Sequence, residues 1–232
     1  MKIGTSRILV CPFCGEEKEI MSLAMGNTLG AQLWSDNKLI ARMLPEISYV
    51  QKCPCCGKYY ITERQAAKYS KDNCSCETGY LTYEEMKAAF SQLSESGFVS
   101  KEEESVVRMM LHHAFNDYYF RSEDNKEIDA DDWLSFRKNC IWLIDNFISD
   151  RVMKAEFYRE IGEFEKAQDV LVPAKEGSFI KRIVSLFKES YSKKSYRGFA
   201  LIRDIFLIKD NRVASLIQER ISKKDSRVFR IK

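Results

Sequence analysis

Two short turns of the same design, Cys11-Pro12-Phe13-Cys14-Gly15 and Cys53-Pro54-Cys55-Cys56-Gly57, constrain this chain more than any other feature. Two cysteines three positions apart bring both sulfurs to one side of a tight turn. The proline after the first cysteine fixes its own φ, and the glycine after the second allows a positive φ at which a Cβ would clash. Backbone N–H groups are then free to point at the sulfurs and offset their charge. One turn offers two thiolates, and two turns offer the four that a tetrahedral zinc ion takes. Cys11, Cys14, Cys53 and Cys56 are the expected metal ligands, with Zn2+ the expected ion, and Fe suits the same four thiolates. Four protein ligands leave no open position for water or substrate, so the site reads as structural, not catalytic.

The two turns resemble the knuckles of rubredoxin-like zinc ribbons, and the resemblance covers residues 11–15 and 53–57. It implies a small β module held together by zinc. A compact ribbon brings its knuckles closer in sequence than these, which are 38 residues apart. Within that stretch Leu33-Trp34, then Ser35-Asp36-Asn37-Lys38, then Leu39-Ile40 reads as two strands around a turn, an extra hairpin lying against the ribbon. Trp34 is expected to pack over the zinc module, or else to serve as a surface anchor for a partner.

Cys55, Cys74 and Cys76 stand outside the main set. A rival ligand set of Cys53, Cys56, Cys74 and Cys76 has suitable spacing but wastes the first knuckle. A second metal on Cys55, Cys74 and Cys76 needs a fourth ligand such as His112 or His113, and a redox role for Cys74-Ser75-Cys76 lacks a Cys-x-x-Cys at a helix N-terminus. Cys140, beside Ile141-Trp142-Leu143, reads as core. No run of residues approaches the roughly 18 apolar positions that span a bilayer. The best, 199–208, is broken by Arg203 and Asp204, and Ile8-Leu9-Val10 is too short for a signal-peptide core. A cytoplasmic, membrane-free chain is therefore expected, and eight cysteines in that setting point to metal before disulfides.

Beyond residue 80 the pattern turns helical. Thr62-Glu63-Arg64-Gln65 suggests a short helix over 62–69, Thr82-x-x-Glu85 opens a second that Gly97 closes, and Ser100-x-x-Glu103 opens a third. In the third, Val106, Met109, Met110, His113, Phe115 and Tyr119 form a helical stripe expected to be buried. His112 and His113 point in different directions from adjacent positions, one toward the core and one toward solvent. The acidic run Glu102-Glu103-Glu104 suits a first helical turn and implies no catalysis. Asp129 or Asp131 caps a helix carrying Trp133, Phe136, Cys140, Leu143, Ile144 and Phe147. Residues 154–171 resemble a tetratricopeptide repeat, with Ala155, Tyr158, Gly162, Phe164 and Ala167 at matching spacings and Leu171 one turn later. The resemblance implies helix pairs stacked side by side. A weaker second unit spans 179–202.

The fold expected is α+β, a small N-terminal β zinc ribbon over 1–80 followed by an all-α, tetratricopeptide-like domain of stacked antiparallel helix pairs over 81–232. No nucleophile motif, phosphate loop or dinucleotide fingerprint is present, so no catalytic or organic-cofactor residues are expected. Charge is uneven along the chain. Residues 82–174 carry eleven basic and twenty acidic side chains, whereas 175–232 carry sixteen basic and six acidic. An adaptor that binds a protein or peptide is the leading reading, since stacked helices make concave surfaces. Nucleic-acid binding through Lys193, Lys194, Arg197, Lys223, Lys224, Arg227 and Arg230 is the second, and a thiol redox or metal sensor the third.

Overall fold

A computed structural model of the protein describes residues 2–44, 48–65, 68–70, 80–124, 126–171 and 211–231. Cys74 and Cys76, the basic residues Lys193, Lys194 and Arg197, and the suggested repeat over 179–202 lie outside the described residues. The chain is mixed α and β: small antiparallel sheets come first and six α-helices follow among the described residues. It divides into two units, one of residues 1–34, 38–147 and 230–232, the other of residues 35–37 and 148–229.

In the first unit, β2 (Arg7–Val10) pairs with β3 (Glu17–Ile20), and β7 (Val50–Lys52) pairs with β8 (Tyr59–Ile61). The register is the same in both hairpins. Val10 faces Glu17 and Lys52 faces Tyr59, so each knuckle closes its hairpin at the identical step. Adding 42 to a residue number in the first ladder gives its counterpart in the second. Between the hairpins, β4 (Leu23–Met25) pairs with β1 (Lys2–Ile3). The hairpin expected around residues 33–40 is present: β5 (Gln32–Trp34) pairs with β6 (Leu39–Ile40), Leu33 facing Leu39. A short β10 (Arg230–Ile231) lies on the other edge of β5.

The helix expected over 62–69 is replaced by a single 3₁₀ turn, Thr62–Arg64, followed by strand β9 (Lys68–Tyr69), which pairs with β2. Longer-range bonds decide this. The Thr62 hydroxyl donates to the Tyr49 carbonyl instead of capping a helix, and Arg64 is drawn to Glu103 at 2.8 Å.

The other start signals work as their chemistry requires. Thr82 and Glu85 form a reciprocal capping box at the head of α1 (Tyr83–Ser96), and Gly97, at φ 80°, ends it. Ser100 caps α2 (Lys101–Asn116), but the Glu103 carboxylate turns to Arg64 and to the Val99 N–H. The chain then makes one π-helical turn, Asp117–Arg121, before α3 (Ala130–Asn146), capped by Asp129. The buried face of α2 is rotated from the stripe expected. Val107, His112, Phe115 and Asn116 are buried, while Val106, Met109, Met110 and His113 are only half-buried. Partners on three sides cause the shift: β8 and α1 meet Val107, and the Phe136 ring of α3 stacks on both Phe115 and His112. The cation partner of Trp34 is Arg121, whose guanidinium lies over its ring at 5.3 Å.

One core joins the second hairpin to the helices: Tyr49, Val50, Tyr59 and Ile61 pack with Met86, Ala89, Leu93 and Val107. Gln92 of α1 also grips the edge of β8, accepting from the Tyr59 N–H at 3.1 Å and donating to its carbonyl at 2.7 Å.

In the second unit, α4 (Arg151–Glu160) and α5 (Phe164–Leu171) form the helix pair that the 154–171 pattern implies, with Gly162 turning the chain at φ 78°. Ala155 and Ala167 are wholly buried, which lets the helices approach closely. The fully buried aromatic on α4 is Phe157, with Tyr158 beside it half-buried. The last helix, α6 (Asn211–Ser222), packs on both α4 and α5.

Candidate metal centre

Each knuckle is shaped by its own backbone. The Cys11 N–H donates to the Glu16 carbonyl at 2.8 Å and the Gly15 N–H to the Cys11 carbonyl at 3.0 Å. The second knuckle repeats both bonds, Cys53 to Lys58 at 2.8 Å and Gly57 to Cys53 at 3.0 Å. Gly15 and Gly57 take φ of 78° and 71°, the left-handed region for which glycine is needed. The Cys56 N–H points at the Cys53 sulfur, 3.5 Å away, as charge compensation of a thiolate requires.

The four sulfurs of Cys11, Cys14, Cys53 and Cys56 all lie within 4.8 Å of one another. Cys11 and Cys56 are 3.7 Å apart, and Cys14 and Cys53 are 3.5 Å apart. A zinc–sulfur bond of about 2.3 Å implies a tetrahedral sulfur–sulfur edge of about 3.8 Å. The cluster therefore fits a metal in both ligand type and spacing. Cys11 and Cys53 are buried with Leu9, Ile20 and Tyr60, whereas Cys14 and Cys56 are exposed.

The electrostatics agree with that fit. The Cys53 thiol is brought down to about 7, first by the Cys56 backbone N–H and further by the Cys55 N–H and the thiols of Cys14 and Cys11, against burial. At Cys14 a hydrogen bond from the Glu16 backbone favours the thiolate, yet burial and the three neighbouring sulfurs outweigh it and push the thiol up to about 12. One thiolate is easy to form here and further ones are not, because like charges crowd. A divalent cation removes that conflict. The Tyr60 hydroxyl, buried and without a hydrogen-bond partner among the described residues, belongs to the same setting. Burial and then the four cysteine sulfurs push it up to about 12.

No family model, no curated protein and no solved structure matches the chain. The metal centre accordingly rests on its own geometry and donor chemistry.

Cys55 occupies the place in the second knuckle that Phe13 has in the first; it is exposed and outside the cluster. Cys74 and Cys76 of the rival set lie outside the described residues, and among the described residues Cys11 and Cys14 stand with Cys53 and Cys56. His112 and Cys140 meet elsewhere, in the helical core. His112 Nδ1 is 3.4 Å from the Cys140 sulfur and Nε2 is 3.2 Å from Asn116 Nδ2, with all three residues buried. A cysteine beside a histidine invites a nucleophile reading, but neither side chain has any exposed surface, so no substrate reaches the sulfur. The residues that sequence reasoning missed are Lys18, Gln51 and Tyr60 behind the knuckles. The signal that finds them is the 42-residue register match, in which Lys18 and Tyr60 are counterparts.

Proposed function

We propose that the protein is a non-catalytic zinc protein in which Cys11, Cys14, Cys53 and Cys56 hold one structural Zn2+ ion, and in which the helices serve to bind a protein or peptide partner. The observation that carries the metal part is the four-sulfur cluster, with every pair of sulfurs within 4.8 Å. Four thiolates close the coordination sphere, so the ion would order the two hairpins and leave no position for a substrate. What supports the adaptor part is the absence of a catalytic motif in the sequence together with the close-packed helix pair α4–α5, whose small residues Ala155 and Ala167 match the repeat-like spacing. Among the described tail residues, Lys223 pairs with Glu219 and Arg220 with Asp225, which reduces the charge available for phosphates.

Metal analysis of the purified full chain tests the first part: one zinc per chain, lost together when any of the four cysteines becomes serine, supports it. Absence of both zinc and iron removes it. For the second part, fluorescence anisotropy against single- and double-stranded nucleic acid at low and moderate salt is the discriminating measurement. Flat curves agree with a protein-directed adaptor, and a steep salt-dependent signal overturns it in favour of nucleic-acid binding.

A further inference from the structure

Lys18 and Tyr60 occupy the same step of the two knuckle hairpins. Lys18 faces Leu9 across the first ladder, and Tyr60 faces Gln51 across the second. Tyr60 packs against the two buried ligands, Cys11 and Cys53. Lys18 crosses from the first hairpin to the second, where its ammonium donates to Gln51 Oε1 at 2.7 Å. Gln51 stands two residues before Cys53, is 1% exposed, and is itself held by donation to the Ser48 carbonyl at 3.1 Å. A buried neutral amide two residues before Cys53 thus fixes a half-buried cation. Among the described residues no carboxylate lies within ion-pair distance of the Lys18 ammonium.

An ammonium drawn out of bulk water without a carboxylate loses solvation that something must offset. Burial lowers the proton affinity of Lys18, and the negative charge of Cys53 restores part of it. The negative charge felt by this ammonium is that of Cys53, in the cysteine cluster, two residues beyond the Gln51 that holds it. Four thiolates around a divalent ion leave two net negative charges, and around a trivalent ion only one. A fixed ammonium nearby attracts the former more strongly, in proportion to charge.

On the reading that the four cysteines hold one metal ion, we propose that Lys18, positioned by Gln51, is the counter-ion of that centre and biases it toward a divalent ion over a trivalent one. Lys18 touches no metal. It acts through the field at the thiolates, as outer partners of metal ligands do. Zinc meets this preference directly. Iron in the same site reveals it, because its two oxidation states differ by the one charge that Lys18 senses.

The test uses the full chain refolded with iron, and compares the ferric/ferrous midpoint potential of wild type, Lys18→Met, Lys18→Arg and Tyr60→Phe. Lys18→Met is expected to shift the balance about tenfold toward the ferric form, a fall of about 59 mV for one electron. Lys18→Arg keeps the charge and Tyr60→Phe changes none, so both stay near wild type. Competition with a chromophoric chelator should also show zinc held several-fold more weakly by Lys18→Met. A Lys18→Met potential equal to wild type overturns the inference, as does an equal fall in Tyr60→Phe. Should Lys18→Met not fold, Lys18→Gln carries the same comparison. A wild-type chain that binds neither zinc nor iron sinks the four-cysteine reading and this inference with it. A wild-type chain that binds either, with no effect of residue 18, sinks this inference alone.

Discussion

Cys14 and Cys53 bring their sulfurs within 3.5 Å across 39 positions of sequence, one exposed and the other buried. Cys11 and Cys56 do the same at 3.7 Å with the roles exchanged. Each close pair therefore joins the inner cysteine of one knuckle to the outer cysteine of the other. Both turns contribute to one four-sulfur cluster, so a bound ion staples both hairpins at once. The second hairpin has another anchor in its packing against α1 and α2, whereas among the described residues the first is held by the small cluster of Leu9, Ile20 and Tyr60 with the cysteines, by the short strand β9 on β2 and by the Lys18–Gln51 bond.

Metal removal should for that reason act unevenly. In zinc-finger peptides a structural ion contributes about 10–16 kcal/mol of apparent binding energy at neutral pH. Losing it should expose the backbone amides of Leu9 and Ile20 in β2 and β3 to hydrogen exchange well before those of Val50 and Ile61. Cys53→Ser should reproduce the pattern and bind under about a tenth of the wild-type zinc, since three thiolates leave the site open. Cys55→Ser should keep full metal content. Equal loss of protection in both hairpins would count against the two-anchor account.

Gly162 offers a clean test of the turn between α4 and α5. Its φ is 78°, and a Cβ built there meets nothing within 4 Å, so any cost of substitution is backbone strain alone. Gly162→Ala should destabilise by about 1–2 kcal/mol. In urea titration the midpoint should fall with the slope unchanged. Gly162→Asn, which tolerates the left-handed region better, should lose less. An alanine variant as stable as wild type would mean that the turn relaxes to a different geometry.

How much of this was readable in advance follows from the range of the forces involved. Ligand knuckles, capping boxes and the glycine turn are settled within five residues, and Cys11, Cys14, Thr82, Ser100 and Gly162 could be read from the chain alone, with Asp129 one of two candidate caps. The segment 62–69 could not. Its local pattern says helix, but Thr62 is claimed by Tyr49 and Arg64 by Glu103, both far away in sequence. Trp34 can be read as packing over the zinc module or as a surface anchor, and its cation partner Arg121, from the π-helical turn 117–121, is too far along the chain for any local pattern to name. Nothing local singles out Lys18, since the amide that holds it lies 33 positions on.

The same Arg64 contact gives a pH dependence with a definite sign. Burial alone would raise the Glu103 carboxyl, but the Arg64 guanidinium and the Val99 N–H outweigh it and hold the group below its ordinary value. A carboxyl depressed on folding adds stability above its unfolded pKa, near 4.3. That stability disappears as pH falls through the lower, folded value. The wild-type protein should thus lose stability from about pH 5 downward, and Glu103→Gln should flatten that part of the curve. At neutral pH the variant should cost about 1.5–3 kcal/mol, the range for a lost charged hydrogen bond. A pH profile identical to wild type would assign the acid sensitivity to other carboxylates.

Arg159 is the largest wholly buried side chain among the described residues, and its charge is answered on one side by Glu156. The guanidinium fork donates Nε to Glu156 Oε2 at 2.7 Å and Nη2 to Oε1 at 2.5 Å, while Nη1 donates to the Asp225 carbonyl. Its cationic face also lies over the Phe229 ring at 5.5 Å. Both charged partners are fully buried, so removing one strands the other. Arg159→Met should cost about 3–5 kcal/mol, chiefly through the uncompensated Glu156 carboxylate. Glu156→Gln should be milder, because the Asp225 carbonyl and Phe229 still receive the cation. The double variant Arg159→Met, Glu156→Leu should recover much of the loss, since a buried pair replaced by apolar side chains is often near neutral. A double-mutant cycle by chemical denaturation measures the coupling. A double variant no more stable than Arg159→Met alone would show that Arg159 acts mainly by holding the 225–229 segment to α4, not by neutralising Glu156.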